Sequence, residues 1–152
     1  MEIEAIVKEV QYVIAPAVMV SSSALMLLGF QTKFSNLASR FRALNQERRL
    51  LDRKADKDEV ERMRLKSLTE QVEQLMRRAS FVKNAILSTY FAIISFVGTS
   101  ILIFLNAHTS NRFHELLIAV FLLGFLSLVL TCVLMMLETS LFFKVIAVEK
   151  KL

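Results

Sequence analysis

Cysteine, proline, glycine and tryptophan are scarce in this 152-residue sequence, which has one cysteine, one proline, three glycines and no tryptophan. Because Cys132 has no second cysteine to pair with, an intrachain disulfide is excluded and the redox compartment stays open. The chain also lacks a glycine-rich phosphate loop and the GxSxG, HExxH and CxxC motifs. We therefore expect a protein that is not an enzyme and that binds no cofactor.

Metal ligands and intramembrane acids are equally sparse. His108 and His114 are the two histidines, and no cysteine or carboxylate cluster lies near them at ligand spacing. They indicate a surface loop rather than a metal site. Glu9 and Glu138 lie at the edges of apolar runs, so they are read as interfacial residues without a function of their own. No catalytic, cofactor-binding or metal-binding residue is predicted.

Charge is missing from three long runs, which are Val10 to Thr32, Asn84 to Asn111 and Leu116 to Leu137. Each exceeds the ~20 residues that a helix needs to cross a hydrocarbon core of ~30 Å. The alternative is a soluble bundle, but its helices would then lack the polar stripe that faces water. The runs therefore favour three membrane-spanning helices, with lipid as their solvent.

The stretch from Lys33 to Lys83 holds fourteen Lys/Arg residues and eight Asp/Glu residues. Apolar residues recur in it with 3-4 spacing, which predicts two helical seams. The first seam is Phe34, Leu37, Phe41, Leu44 and Leu51; the second is Leu65, Leu68, Val72, Leu75, Ala79 and Val82. Asp52 to Asp58 is the one plausible break, with Asp56 and Asp58 as candidate N-caps. An unbroken first helix to about Arg53 and an antiparallel helical hairpin are predicted.

The expected fold class is an all-α membrane protein with three transmembrane helices, the first two extended into a cytoplasmic antiparallel hairpin. The predicted segments are an amphipathic lead-in with transmembrane helix 1 at 1–30, a hairpin at 31–83, transmembrane helix 2 at 84–105, an extracytoplasmic loop at 106–115, transmembrane helix 3 at 116–137 and a cytoplasmic tail at 138–152. The acidic start and long first run favour a retained span over a signal peptide.

Basic residues set the predicted orientation. Fourteen of them lie in the hairpin, against Arg112 alone in the second loop. By the positive-inside rule the hairpin and the C-terminus are cytoplasmic and the N-terminus is outside. The pI of 9.6 is explained by this topology, and interleaved acids argue against nucleic acid as a partner. Four bases near the inner leaflet are candidate contacts for lipid headgroups: Lys33, Arg77, Arg78 and Lys83.

The first span carries Pro16 and is followed by the run TKFSNLASRFRAL at residues 32–44. This pattern resembles the bacterial membrane family called domain of unknown function 2721, and Arg40, Arg42 and Leu44 match its Arg-x-Arg-x-Leu motif. The resemblance covers nearly the whole chain. It implies a multi-pass protein of the bacterial inner (plasma) membrane and implies no activity.

The sequence departs from the family pattern at two positions. Lys33 stands where the family more often has Arg, and Ser39 where Asp is common. The run Arg77-Arg78-Ala79 before the second span is similar to the basic re-entry of the family.

Small and hydroxyl residues on the spans favour close helix contacts and a symmetric homo-oligomer. In the second span they recur as the pairs Ala85/Thr89, Ser88/Ala92 and Ser95/Thr99. Two functions follow from such an assembly, and the sequence leaves both open.

The first hypothesis is an oligomeric channel lined by helix 1. Its candidate pore face is Gln11, Pro16, Ser21, Ser22 and Ser23, which is also consistent with a kinked packing face. Arg40 and Arg42 would form basic rings at the cytoplasmic mouth. The second hypothesis is a non-conducting scaffold whose hairpin docks a cytoplasmic protein partner or anionic lipid.

Overall fold

A computed structural model describes the backbone of residues 2–54, 58–108 and 114–149 and the side chains of residues 12–54, 58–106 and 114–140. It contains α1 (Glu2–Asp52), α2 (Glu59–His108) and α3 (His114–Glu149). All regular structure in the described ranges is helical, which confirms the all-α expectation. At ~1.5 Å per residue, α1 and α2 each reach about 75 Å, more than twice a hydrocarbon core.

The helix α1 continues through Pro16. A proline inside a helix removes one backbone donor, and three serines follow it within two turns. Their hydroxyls donate to carbonyls four residues back, from Ser21 to Ala17, from Ser22 to Val18 and from Ser23 to Met19. These three hydroxyls therefore bond within their own helix.

The connection between α1 and α2 follows Asp52, one residue before the predicted end of the first helix. The amide of Arg62 donates to the carbonyl of Asp58 at 3.0 Å, which starts the first turn of α2. Lys54 and Glu61 form an ion pair across the connection, and this carboxylate raises the pKa of Lys54. The alternative N-cap, Asp56, lies outside the described residues.

The helix α2 is the central element, because α1 and α3 each pack against it and hardly against one another. Contact pairs run in opposite directions along α1 and α2, from Lys54–Glu61 through Glu47–Arg64 to Gln31–Tyr90. Contact pairs between α2 and α3 also run in opposite directions, from Arg78–Glu138 through Ser88–Ser127 to Ser95–Gly124. Each neighbouring pair of helices is therefore antiparallel.

Apolar residues of both predicted seams meet outside the apolar runs. Leu37, Leu75 and Val82 form a buried cluster, with Phe41, Leu44, Ala79, Ile86 and Met135 packed around it. Leu68 and Val72 are buried nearer the start of α2, whereas Phe34 is 39% exposed. Heptad packing of the coiled-coil type stays a prediction.

All three helices are long and apolar enough to cross a membrane. Only 11% of the most apolar window of α1 is buried within the chain, against 28% for α2 and 17% for α3. Large side chains such as Leu25 (71% exposed) and Phe104 (64% exposed) therefore face outward. Exposed apolar surface of this extent would be unfavourable in water, so the structure is that of a multi-pass membrane protein.

Candidate functional site

Small residues bring α2 and α3 into close contact. Ala85, Thr89 and Ala92 are fully buried on α2. On α3, a Cβ added to Gly124 would lie 3.0 Å from the Cβ of Ser95 and 3.0 Å from the ring of Phe96. The glycine is therefore needed for this close approach, as small residues are in other membrane helix pairs.

Hydroxyl groups bond the same two helices inside the apolar region. Ser88 Oγ donates to the carbonyl of Ser127 at 2.8 Å, and Ser127 Oγ donates to the carbonyl of Ser88 at 2.7 Å. At the next residue of α2 and one turn farther along α3, the hydroxyls of Thr89 and Thr131 lie 3.4 Å apart. These reciprocal bonds fix the register of α3 along α2 and thereby the position of Glu138, two turns beyond Thr131.

Glu138 joins all three helices. Its side chain is 0% exposed, and its Oε1 accepts two hydrogen bonds from Arg78 of α2, from Nε at 3.0 Å and from Nη2 at 2.8 Å. Its Oε2 accepts a hydrogen bond from Nζ of Lys33 on α1. Arg78 is 16% exposed and Lys33 is 35% exposed. The cluster carries one negative and two positive charges, so it has a net charge of about +1.

This arrangement satisfies the buried carboxylate on both oxygens. A buried carboxylate without partners is strongly unfavourable, whereas hydrogen bonds from charged Arg and Lys side chains are among the strongest interactions that stabilise one. Removal of one partner from a buried ion pair usually costs ~3–5 kcal/mol. The cluster therefore holds the three helices in one relative position at the end of the charge-free runs of α1 and α3.

A cavity of about 280 Å³ opens beside the cluster. Its lining residues come from all three helices and are mostly polar: Lys33, Asn36, Leu37, Arg40, Arg78, Glu138 and Thr139. Arg40 is exposed, and its side chain makes no hydrogen bond or ion pair within the described ranges. The cavity thus presents more positive than negative charge.

The two arginines of the predicted basic ring line two different cavities. Arg40 borders the cavity beside Glu138, whereas Arg42 lines a second cavity of about 540 Å³ along α1 with Arg49 and Arg53. The oxygen Oδ1 of Asn45, in the same lining, is buried and accepts no hydrogen bond in the described part of the chain. A basic ring in an assembly stays a prediction.

The predicted pore face is divided by burial. Pro16 and Ser23 are buried, and Ser21 and Ser22 are exposed. The side chain of Gln11 lies outside the described residues. Two adjacent exposed serines, less than one helical turn, therefore remain of this face on α1, and their role in a pore or packing face stays a prediction.

The four candidate lipid contacts also separate into two pairs. Lys33 and Arg78 bind Glu138, while Arg77 and Lys83 are exposed. Sequence reasoning identified the two cations but dismissed Glu138 as interfacial, so their ion pairs were missed. The available signal was a single carboxylate directly after a charge-free run of twenty-two residues, with a base directly after the run on α1.

The described residues contain no group of three His, Cys, Asp or Glu side chains placed to hold a metal ion. His114 is exposed at the start of α3, and Cys132 is exposed on its apolar surface. The ion pairs of Glu138 and the reciprocal hydrogen bonds of Ser88 and Ser127 make up the candidate site.

Comparison with known proteins gives one family. A family model described as "Protein of unknown function (DUF2721)" matches residues 13–148. No curated protein and no solved structure matches the chain.

Proposed function

The chain belongs to the family of proteins of unknown function DUF2721, and from this premise we propose a homo-oligomeric protein of the bacterial plasma membrane without enzymatic activity. Its N-terminus is outside, and the extended parts of α1 and α2 form a cytoplasmic stalk, defined as residues 34–77. The observation that carries the proposal is the exposure of α1, whose apolar window is the least buried of the three.

The surface of α1 suits contact with further copies. It combines apolar side chains with the exposed hydroxyls of Ser21 and Ser22, which are small enough for close helix approach. In a closed oligomer each α1 would meet the same surface of its neighbours around an axis. We therefore favour α1 as the inner helix of the assembly.

An inner position for α1 supports ion conduction as the first candidate activity. The serines would then line the narrow part of the axis, and Arg40 and Arg42 would surround its cytoplasmic mouth. Rings of basic side chains favour anions over cations. The proposed activity is therefore a pore for small anions.

A specific observation also favours a non-conducting scaffold. The cavity along α1 in the stalk is lined by Arg42, Arg49 and Arg53 without an acidic residue, and it contains the unpaired Oδ1 of Asn45. An acidic helix of a cytoplasmic protein would complement the positive charge of this cavity. In this alternative the membrane helices anchor the stalk and do not conduct.

Native mass spectrometry of the purified protein in detergent tests the assembly. We expect a multiple of 17.4 kDa for the wild type and a lower mass for Ser22→Leu, because a larger side chain separates the α1 helices. Leu126→Ile, on the exposed surface of α3, is the control. A lone 17.4 kDa species for the wild type would contradict the oligomer.

Ion flux into liposomes separates the two activities. A pore predicts anion flux that Ser22→Leu abolishes and that Arg40→Glu shifts toward cations. Absence of flux at all voltages and pH values, with the oligomer intact, would exclude the pore and favour the scaffold.

A further inference from the structure

The cavity beside Glu138 lies at the membrane surface whichever way the protein faces. Glu138 and Thr139 directly follow the charge-free run of α3, and Lys33 directly follows that of α1. The ends of two apolar runs therefore meet at one cavity. Phosphate groups of lipids lie at this depth, immediately outside the hydrocarbon core.

One face of α1 supplies the donors. Lys33, Asn36 and Arg40 are spaced at i, i+3 and i+7, so their side chains lie above one another on the cavity wall. The Lys33 ammonium has three N–H groups, of which Glu138 accepts one. Arg40 adds a guanidinium that makes no hydrogen bond in the described ranges.

The charge around the cavity favours a monoanion. Its lining carries three positive side chains and one carboxylate, which leaves a net charge of about +2. Both oxygens of that carboxylate already accept hydrogen bonds from Arg78 and Lys33, so its repulsion of a second anion is reduced. Free positive charge is therefore concentrated at Arg40 and the outer side of Lys33.

We propose that this cavity binds the phosphodiester group of an anionic phospholipid, with Arg40, Lys33 and Asn36 donating to the phosphate oxygens. Glu138 positions Lys33 and Arg78 and does not itself contact the lipid phosphate. The proposal rests on the membrane part of the proposed function. It is independent of the scaffold and of the orientation, but it assigns Arg40 to a lipid rather than to the mouth of a pore.

Lipid retention tests the site. The full-length protein is purified in detergent, mixed with equal amounts of phosphatidylglycerol and phosphatidylcholine, and analysed by native mass spectrometry for bound lipid per protomer. The wild type should retain phosphatidylglycerol preferentially. Arg40→Gln should lower that retention about fivefold, from the loss of one base near anionic lipid, and Arg40→Lys should restore most of it.

Lys66→Gln is the matched control, because Lys66 is an exposed base on the stalk outside the cavity. Its retention of phosphatidylglycerol should equal that of the wild type. Equal retention of both lipids by the wild type, or an equal decrease in Arg40→Gln and Lys66→Gln, would overturn the proposal as non-specific attraction.

A second arm distinguishes lipid from free phosphate. Inorganic phosphate at 1 mM, on the order of cellular levels and far above the added lipid, should not displace phosphatidylglycerol, since only the lipid also contacts the apolar helices. Displacement by inorganic phosphate would overturn the lipid assignment. Failure of the oligomer or of the predicted orientation would leave these retention ratios unchanged, so the two proposals fail separately.

Discussion

The two carboxylate oxygens of Glu138 accept hydrogen bonds from two different helices. Arg78 of α2 donates twice to Oε1, and Lys33 of α1 donates to Oε2. Because the carboxylate is fully covered, each hydrogen bond is made in surroundings of low polarity, where it is stronger than in water. One residue of α3 thereby joins the adjacent end of each of the other two spans.

A Glu138→Gln variant should be markedly less stable. The amide keeps the shape, but it removes the negative charge and leaves two adjacent cations, of which Arg78 is only 16% exposed. Loss of a buried partner costs ~3–5 kcal/mol; because Lys33 remains partly exposed, we expect about 2 kcal/mol. Loss of the monodisperse peak in size-exclusion chromatography after heating gives the midpoint temperature.

Glu115→Gln is the control for this variant, because Glu115 is an exposed carboxylate at the start of the same helix. Its midpoint temperature should match the wild type. If Glu138→Gln and Glu115→Gln melted together, the cluster would have no role in holding the helices.

At the scale of the elements, close packing of side chains joins α2 and α3 as much as hydrogen bonds do. Gly124 lies against Ser95 and the fully buried Phe96, whose ring also packs at 5.7 Å, centroid to centroid, from that of Phe121. In contrast, an added Cβ at Gly98 would meet Val120 at an ordinary 3.8 Å, and one at Gly29 would meet nothing within 4 Å. The three glycines thus differ in how much space surrounds them.

Gly124→Ala should therefore destabilise the protein. Alanine gains ~1 kcal/mol over glycine as a helix former, but overpacking of this kind costs ~1–3 kcal/mol. We expect a net loss of about 1 kcal/mol and a lower midpoint temperature in the same heating assay. Gly98→Ala and Gly29→Ala should equal or exceed the wild type, and an equal decrease in all three would show that backbone flexibility, not space, matters.

The elements could be predicted from the sequence where the signal is local. Three charge-free runs and two apolar seams indicated the helices, and α1 ends at Asp52, within one residue of the expected end. The Glu138 cluster could not be predicted in the same way. Arg78 and Lys33 lie 60 and 105 residues before Glu138 in the chain. Their contact with it therefore depends on the helix register that Ser88, Ser127 and Gly124 set.

At the scale of the whole molecule, the helices form a row with α2 in the middle. This arrangement leaves most of the apolar surface of α1 and α3 exposed. Beyond the cluster, α1 continues from Lys33 to Asp52 and α2 returns from Glu59 to Arg78. Each arm has about twenty residues and extends roughly 30 Å, so the stalk is as long as the membrane is thick.

The orientation of this stalk is the central claim, and cysteine labelling in intact cells tests it most directly. In a Cys132→Ser background, Lys66→Cys marks the stalk and Arg112→Cys marks the segment that precedes α3 in the sequence. A membrane-impermeant maleimide should label Arg112→Cys in intact cells and Lys66→Cys only after the membrane is permeabilised, because the positive-inside rule predicts a cytoplasmic location for the stretch from Lys33 to Lys83 with its fourteen bases. Labelling of Lys66→Cys in intact cells would contradict the account.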